Sequence, residues 1–125
     1  MITATEQMLP GMPACVEAAM LAKMSDRGQI AGCVVDGPLA LDVALCKEAA
    51  EIKKLKSEVA GDADCCVFPS IEAANVFYKF AGHFCPGVKM AAMVAGAKAP
   101  CVLSSRADST ETKLNSIALA ALTAK

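Results

Sequence analysis

Tryptophan is absent from this chain of 125 residues, and histidine and tyrosine occur once each. Aromatic residues make up 4% of a composition that is 55% hydrophobic, so the apolar content is carried mostly by alanine. Such a composition suits closely packed helices more than a core of large rings. Neither sign of charge dominates: 12 Lys and Arg stand against 13 Asp and Glu, for a net charge of −1. No basic surface is therefore available for nucleic acid. No uninterrupted apolar run approaches the roughly 18 residues of a spanning helix, which argues against a membrane protein. The opening Met-Ile-Thr-Ala-Thr-Glu-Gln lacks the basic and apolar regions of a secretory signal. A soluble, cytoplasmic protein is expected, with room for one domain and one core.

Cysteine is abundant, yet the spacing of a metal or redox site is missing. The seven cysteines include no Cys-x-x-Cys pair, and His83 is the one histidine. Zinc sites use paired ligands two to four residues apart, so no metal is expected. Cys15, Cys33, Cys46, Cys65, Cys66 and Cys101 occupy places where a small core residue fits, and Cys85 is the expected exposed thiol. A phosphate-cradling Gly-x-x-x-x-Gly-Lys-Ser/Thr loop is also lacking.

What remains is an alternation of helical and extended patterns. Residues 1–12 read as an irregular polar lead-in. Pro13 opens a helix that runs to about Asp26 and stops at Gly28. Ile30 to Val35 reads as a strand before the turn Asp36-Gly37-Pro38. Leu39 to Leu55 has a helical period, Asp64 to Phe68 is a buried strand, and Ile71 to Phe84 is a helix. Val88 to Val94 and Cys101 to Leu103 are further strands, and a helix opens near Ser109. The alternation predicts an α/β fold, a mainly parallel sheet with flanking helices.

Candidate chemistry concentrates where strands end. Ser104, Ser105, Arg106 and Asp108 lie past the strand at Cys101–Leu103, the edge at which open α/β sheets place ligands. Arg106 suits an anion through paired charge-assisted hydrogen bonds, and the following helix N-terminus adds backbone donors. The alternative is local: Asp108 or Ser109 capping the helix while Arg106 is solvated. Asp36 stands at another strand end, as a functional carboxylate or as a turn residue bonding its own backbone. Glu72 sits favourably at a helix N-terminus. Lys98, in a loop of small residues, is either solvated or within reach of a phosphate.

Five motifs then fall in a recognisable order: Val-Asp-Gly-Pro-Leu-Ala-Leu-Asp (35–42), Ser-Glu-Val-Ala-Gly-Asp-Ala-Asp (57–64), Ile-Glu-Ala-Ala-Asn-Val-Phe-Tyr-Lys (71–79), Gly-Ala-Lys-Ala-Pro (96–100) and Ser-Arg-Ala-Asp-Ser (105–109). With these the chain resembles the phosphate acetyl/butyryltransferases, and the butyryltransferase branch in particular. The resemblance implies part of an isocitrate/isopropylmalate dehydrogenase-like fold. It implies acyl transfer between coenzyme A and inorganic phosphate, with acyl-CoA as substrate and no permanently bound cofactor. Ser105 and Arg106 match the family's Ser-Arg pair, for transition-state hydrogen bonding and phosphoryl binding respectively. Asp36, Asn75 and Lys98, each inside a matching motif, are the expected coenzyme A contacts.

Three departures stand out. The acetyltransferase branch carries an Asp where this chain has Thr112, which leaves Asp108 or Glu111 as the substitute base. The family's usual Glu-Ala-Gly-Asn is Glu72-Ala73-Ala74-Asn75, and its Lys-Gly is Lys53-Lys54. The resemblance also implies that residues 13–125 are a C-terminal acyltransferase domain without the family's N-terminal half. Completion by self-association or by an N-terminal partner chain is then expected, as is exposed apolar surface. A catalytically incomplete module that binds coenzyme A or drives oligomerisation is the alternative.

Overall fold

The computed structural model describes residues 1–124. They fall into two compact units, Met1–Val76 and the residues from Phe77 onward. Among the described residues, five helices carry the regular structure: α1 (Pro13–Asp26), α2 (Leu41–Leu45), α3 (Lys47–Ile52), α4 (Ile71–Phe84) and α5 (Thr110–Thr123). Residues of α4 up to Val76 belong to the first unit and those from Phe77 to the second.

Three helices follow directly from local signals. Proline stands at the start of α1, where its missing N–H is not needed. Gly28 ends α1 with φ 71°, and its N–H reaches Ser25 O at 2.9 Å. The Ser70 hydroxyl accepts from Ala73 N at 3.3 Å in the first turn of α4. Ser109 caps α5 by accepting from Thr112 N at 3.1 Å.

The helical period at Leu39–Leu55 produces two short helices instead of one. Cys46 between them is extended, at φ −122° and ψ 113°. A continuous helix would have Lys47 and Glu48 donate to the carbonyls of Val43 and Ala44. Those carbonyls accept instead from Gly61 N at 2.8 Å and Ala63 N at 3.1 Å. The loop at 61–63 thus takes the bonds that would have carried the helix through.

The expected α/β fold with a mainly parallel sheet is not what forms, and the isocitrate/isopropylmalate dehydrogenase-like sheet goes with it. Among the described residues there are only two isolated bridges, Ile2 with Leu39 (parallel) and Val94 with Cys101 (antiparallel). The reason lies in where the backbone groups of the apolar runs find partners. In the run 30–35, Val35 N donates to the Ser25 hydroxyl at 3.0 Å, and that hydroxyl donates to Cys33 O at 3.4 Å. In the run 88–94, Ala92 N donates to Ser116 Oγ at 2.9 Å, and Asn115 Nδ2 donates to Met90 O at 3.4 Å. Side chains of α1 and α5 therefore satisfy positions that a neighbouring strand would have paired. An apolar run reports a preference for burial and extension, not the presence of a ladder partner.

Burial differs accordingly. Ile2, Leu39, Val43, Ala44 and Ala50 form the core cluster of the first unit. Cys15 and Ala18 are buried on α1, while α5 buries Ser116 and Ala120. The cysteines expected in strands and in the second helix are not core residues: Cys33, Cys46, Cys65 and Cys101 are exposed. Cys15 is buried, whereas Cys66 and Cys85 are half-buried. Apolar side chains also reach the surface, including Phe80 and Phe84 on α4, whose rings stack at 5.8 Å. No helix among the described residues is long and apolar enough to cross a membrane.

Candidate functional site

Ser105 to Asp108 form a turn in which Asp108 N donates to Ser105 O at 3.1 Å. The reverse bond closes it: Ser105 N donates to the Asp108 carboxylate, Oδ2, at 2.8 Å. Arg106 and Ala107 occupy the tip. Arg106 is exposed, and its carbonyl accepts from Lys113 Nζ at 3.4 Å. Ser105 Oγ accepts from Ala107 N at 3.4 Å. Immediately afterwards, the cap at Ser109 starts α5, so the turn sits at the electropositive end of that helix.

Asp108 is the most enclosed charge here. Its side chain is 6% exposed and lies 3.6 Å from Lys79 Nζ through Oδ1. The Tyr78 hydroxyl donates to Oδ2 at 3.3 Å. Burial pushes the carboxyl pKa up, but the Ser105 N–H, the Lys79 charge and the Tyr78 hydroxyl outweigh it and hold it below the ordinary 3.8. Burial first, and then the Asp108 charge, raise the Tyr78 phenol above 10.0, so it remains a donor. A cavity of about 280 Å³ opens beside this cluster, lined among others by Tyr78, Lys79, His83, Asp108, Ser109 and Thr112.

The other candidates stand apart. Lys98 is exposed and lines a second hollow of the same unit with Met93, Pro100 and Thr123. Asn75 is exposed on α4, in the first unit. Asp36, also in the first unit, accepts from Gly37 N at 2.7 Å through Oδ1 and from the Ser57 hydroxyl through Oδ2. It borders an open cleft of about 850 Å³ whose rim includes Lys23, Asp26, Lys56, Ser57 and Glu58. Glu111 is exposed and paired with Lys89 at 3.0 Å. No group of three or more His, Cys, Asp or Glu side chains is gathered for a metal among the described residues.

The structure thus brings Ser105, Arg106 and Asp108 into one turn. Tyr78 and Lys79 were not singled out by sequence reasoning. They close the motif at 71–79, and nothing local signals a pairing with a carboxylate about thirty residues further on.

Comparison with known proteins gives this chain a family. The model described as "Phosphate acetyl/butaryl transferase" matches residues 1–121. A phosphate butyryltransferase of Clostridium acetobutylicum is 58% identical over 123 residues, which is 98% of this chain and 40% of the relative. A phosphate acetyltransferase of Thermotoga maritima is 53% identical over 121 residues, covering 97% and 41% respectively. The crystal structure of a branched-chain phosphotransacylase from Enterococcus faecalis V583 superposes with a TM-score of 0.84 at 36% identity. That match covers 96% of this chain and 42% of the other. The chain therefore spans about 40% of the length of the curated relatives it matches.

Proposed function

Because this chain belongs to the phosphate acetyl/butaryl transferase family, we propose that it takes part in moving a butyryl or similar short acyl group between coenzyme A and inorganic phosphate, in the cytoplasm. A phosphate oxygen attacks the thioester carbonyl carbon, a C–O bond forms, and a tetrahedral oxyanion develops. Its collapse breaks the C–S bond, leaving acyl phosphate and a coenzyme A thiolate. Ser105 donates its hydroxyl to the oxyanion, and such donors do most when they are fixed before the charge appears. Arg106 holds the phosphate in a bidentate grip. Asp36, Asn75 and Lys98 are the proposed coenzyme A contacts, and coenzyme A is substrate, not a resident cofactor.

The observation that carries this reading is the closed turn at Ser105–Asp108, with the Arg106 side chain at its exposed tip and the capped end of α5 behind it. The test is the purified chain with butyryl-CoA and phosphate, following free coenzyme A thiol. Turnover that disappears in Arg106→Ala supports the assignment. Turnover unchanged in that variant refutes it.

Exposed apolar side chains such as Ile71, Phe80, Phe84 and Leu122 favour a second reading. In it the chain acts as a coenzyme A-binding or oligomerisation module, together with further copies or an N-terminal partner chain. Saturable coenzyme A binding in calorimetry without turnover would support that reading over the first.

A further inference from the structure

We propose that Asp108, gripped by Tyr78 and Lys79, is a positioning residue that fixes the backbone of Ser105, and that it is not the base of the reaction. This inference rests on the reading that Ser105 and Arg106 meet the substrate. It begins with geometry. Ser105 and Asp108 bind each other twice, through Asp108 N to Ser105 O at 3.1 Å and Ser105 N to Asp108 Oδ2 at 2.8 Å. The second bond fixes the direction of the Ser105 backbone, and thereby the origin of its side chain.

A turn closed only on itself would still move as a body. Here its carboxylate is anchored from outside the turn by consecutive residues of α4. The Tyr78 hydroxyl reaches Oδ2 at 3.3 Å, and Lys79 Nζ lies 3.6 Å from Oδ1. Lys79 Nζ also lies over the Tyr78 ring, 5.0 Å from its centre, and the two side chains engage different oxygens of the carboxylate. Lys113 of α5 adds a contact at 3.4 Å to the carbonyl of Arg106. Helices hold attached groups more rigidly than loops do, which is the usual requirement for a site that must be preorganised.

The same contacts make Asp108 a poor proton acceptor. Each oxygen already faces a donor, and the side chain is 6% exposed. A general base needs a free lone pair within reach of the thiol and a pKa near the working pH. Glu111, the other nearby carboxylate, is exposed and paired to Lys89. Asp108 acts through Ser105, and Tyr78 and Lys79 act through Asp108.

The experiment compares the full chain with Tyr78→Phe, Lys79→Met and Lys79→Arg by amide hydrogen exchange, alongside butyryl-CoA kinetics. Losing one anchor is expected to speed exchange at Ser105 about tenfold, as losing a hydrogen bond of ordinary net strength would. Exchange within α5 should stay unchanged, and Lys79→Arg should restore protection. In an active chain, kcat should fall with KM for butyryl-CoA retained. Unaltered exchange at Ser105 in both Tyr78→Phe and Lys79→Met would overturn the proposal. So would acceleration spread evenly over α5, which would mark a general loss of stability. A chain without turnover that shows the local exchange change would remove the acyltransfer reading and leave the anchoring role standing.

Discussion

Gly61 lies against the backbone of Lys47 so closely that a Cβ added to it would stand 2.7 Å from Lys47 Cα. The approach has a cause: the Gly61 N–H reaches Val43 O at 2.8 Å, in the break between α2 and α3. Gly61 also has φ 84°, where an L side chain costs about 1–2 kcal/mol. Overlap with a backbone atom adds about 1–3 kcal/mol. Gly61→Ala is therefore expected to lose about 2–5 kcal/mol of stability in urea denaturation. Gly28, in the same unit with φ 71° and nothing within 4 Å, supplies the comparison. Gly28→Ala should lose only the conformational part. Equal losses at the two positions would mean that Lys47 gives way.

Lys54 occupies the left-handed region, with φ 53°. It follows α3 in a Schellman arrangement, with Leu55 N to Ala50 O at 3.2 Å and Lys54 N to Glu51 O at 3.0 Å. Glycine is the residue that ends helices this way without a Cβ penalty, and the family resemblance already marks this position as a usual glycine. Lys54→Gly should stabilise the protein by about 1 kcal/mol, seen as a higher midpoint in thermal unfolding. Lys54→Ala should give no such gain, because alanine keeps the Cβ. A midpoint lowered by Lys54→Gly would contradict this reading of the helix end.

The same contrast explains what was legible beforehand. Pro13, Gly28 and Ser109 mark helix ends by short-range chemistry, and α1 and α5 begin or end there as read, while α4 spans Ile71–Phe84 as its pattern indicated. The turn at 105–109 was likewise visible, because its hydroxyls, guanidinium and carboxylate are neighbours in sequence. The strands were not, because a run such as Val88–Val94 looks the same whether a ladder or a helix side chain satisfies its backbone. Cys46 carries no breaker signal; the loop at 61–63 interrupts the helix there. Tyr78 and Lys79 matter through Asp108, a relationship that exists only after folding.

Ser116 tests the claim that α5 stands in for a strand. It is fully buried, accepts from Ala92 N at 2.9 Å and donates to Thr112 O at 2.7 Å. Ser116→Ala leaves the Ala92 N–H without its acceptor and should cost about 1–3 kcal/mol. Exchange at the Ala92 amide should accelerate more than at the amides of α1. If Ala92 remained as protected as before, another acceptor would be replacing the serine.

The Asp108 tie also sets a pH window. Its carboxyl pKa in the folded chain lies below the ordinary 3.8, since burial, which alone would raise it, is outweighed by the Ser105 N–H, the Lys79 charge and the Tyr78 hydroxyl. A depressed carboxyl pKa contributes stability above the unfolded value and loses it as pH falls through the folded value. The tie is thus intact from neutral pH down to about pH 4 and weakens only below that. Ser105 protection, corrected for the intrinsic exchange rate, should stay flat between pH 8 and 5 and drop in more acidic solution. Asp108→Asn cannot titrate, so its protection should be lower than wild type and should lack the acid-side fall. Groups facing Asp108 do not reverse this sign. Tyr78 is held protonated with its pKa above 10.0, and the Lys79 ammonium stays close to the carboxylate at 3.6 Å. A fall in Ser105 protection already between pH 7 and 5 would require a different titrating group to hold the turn.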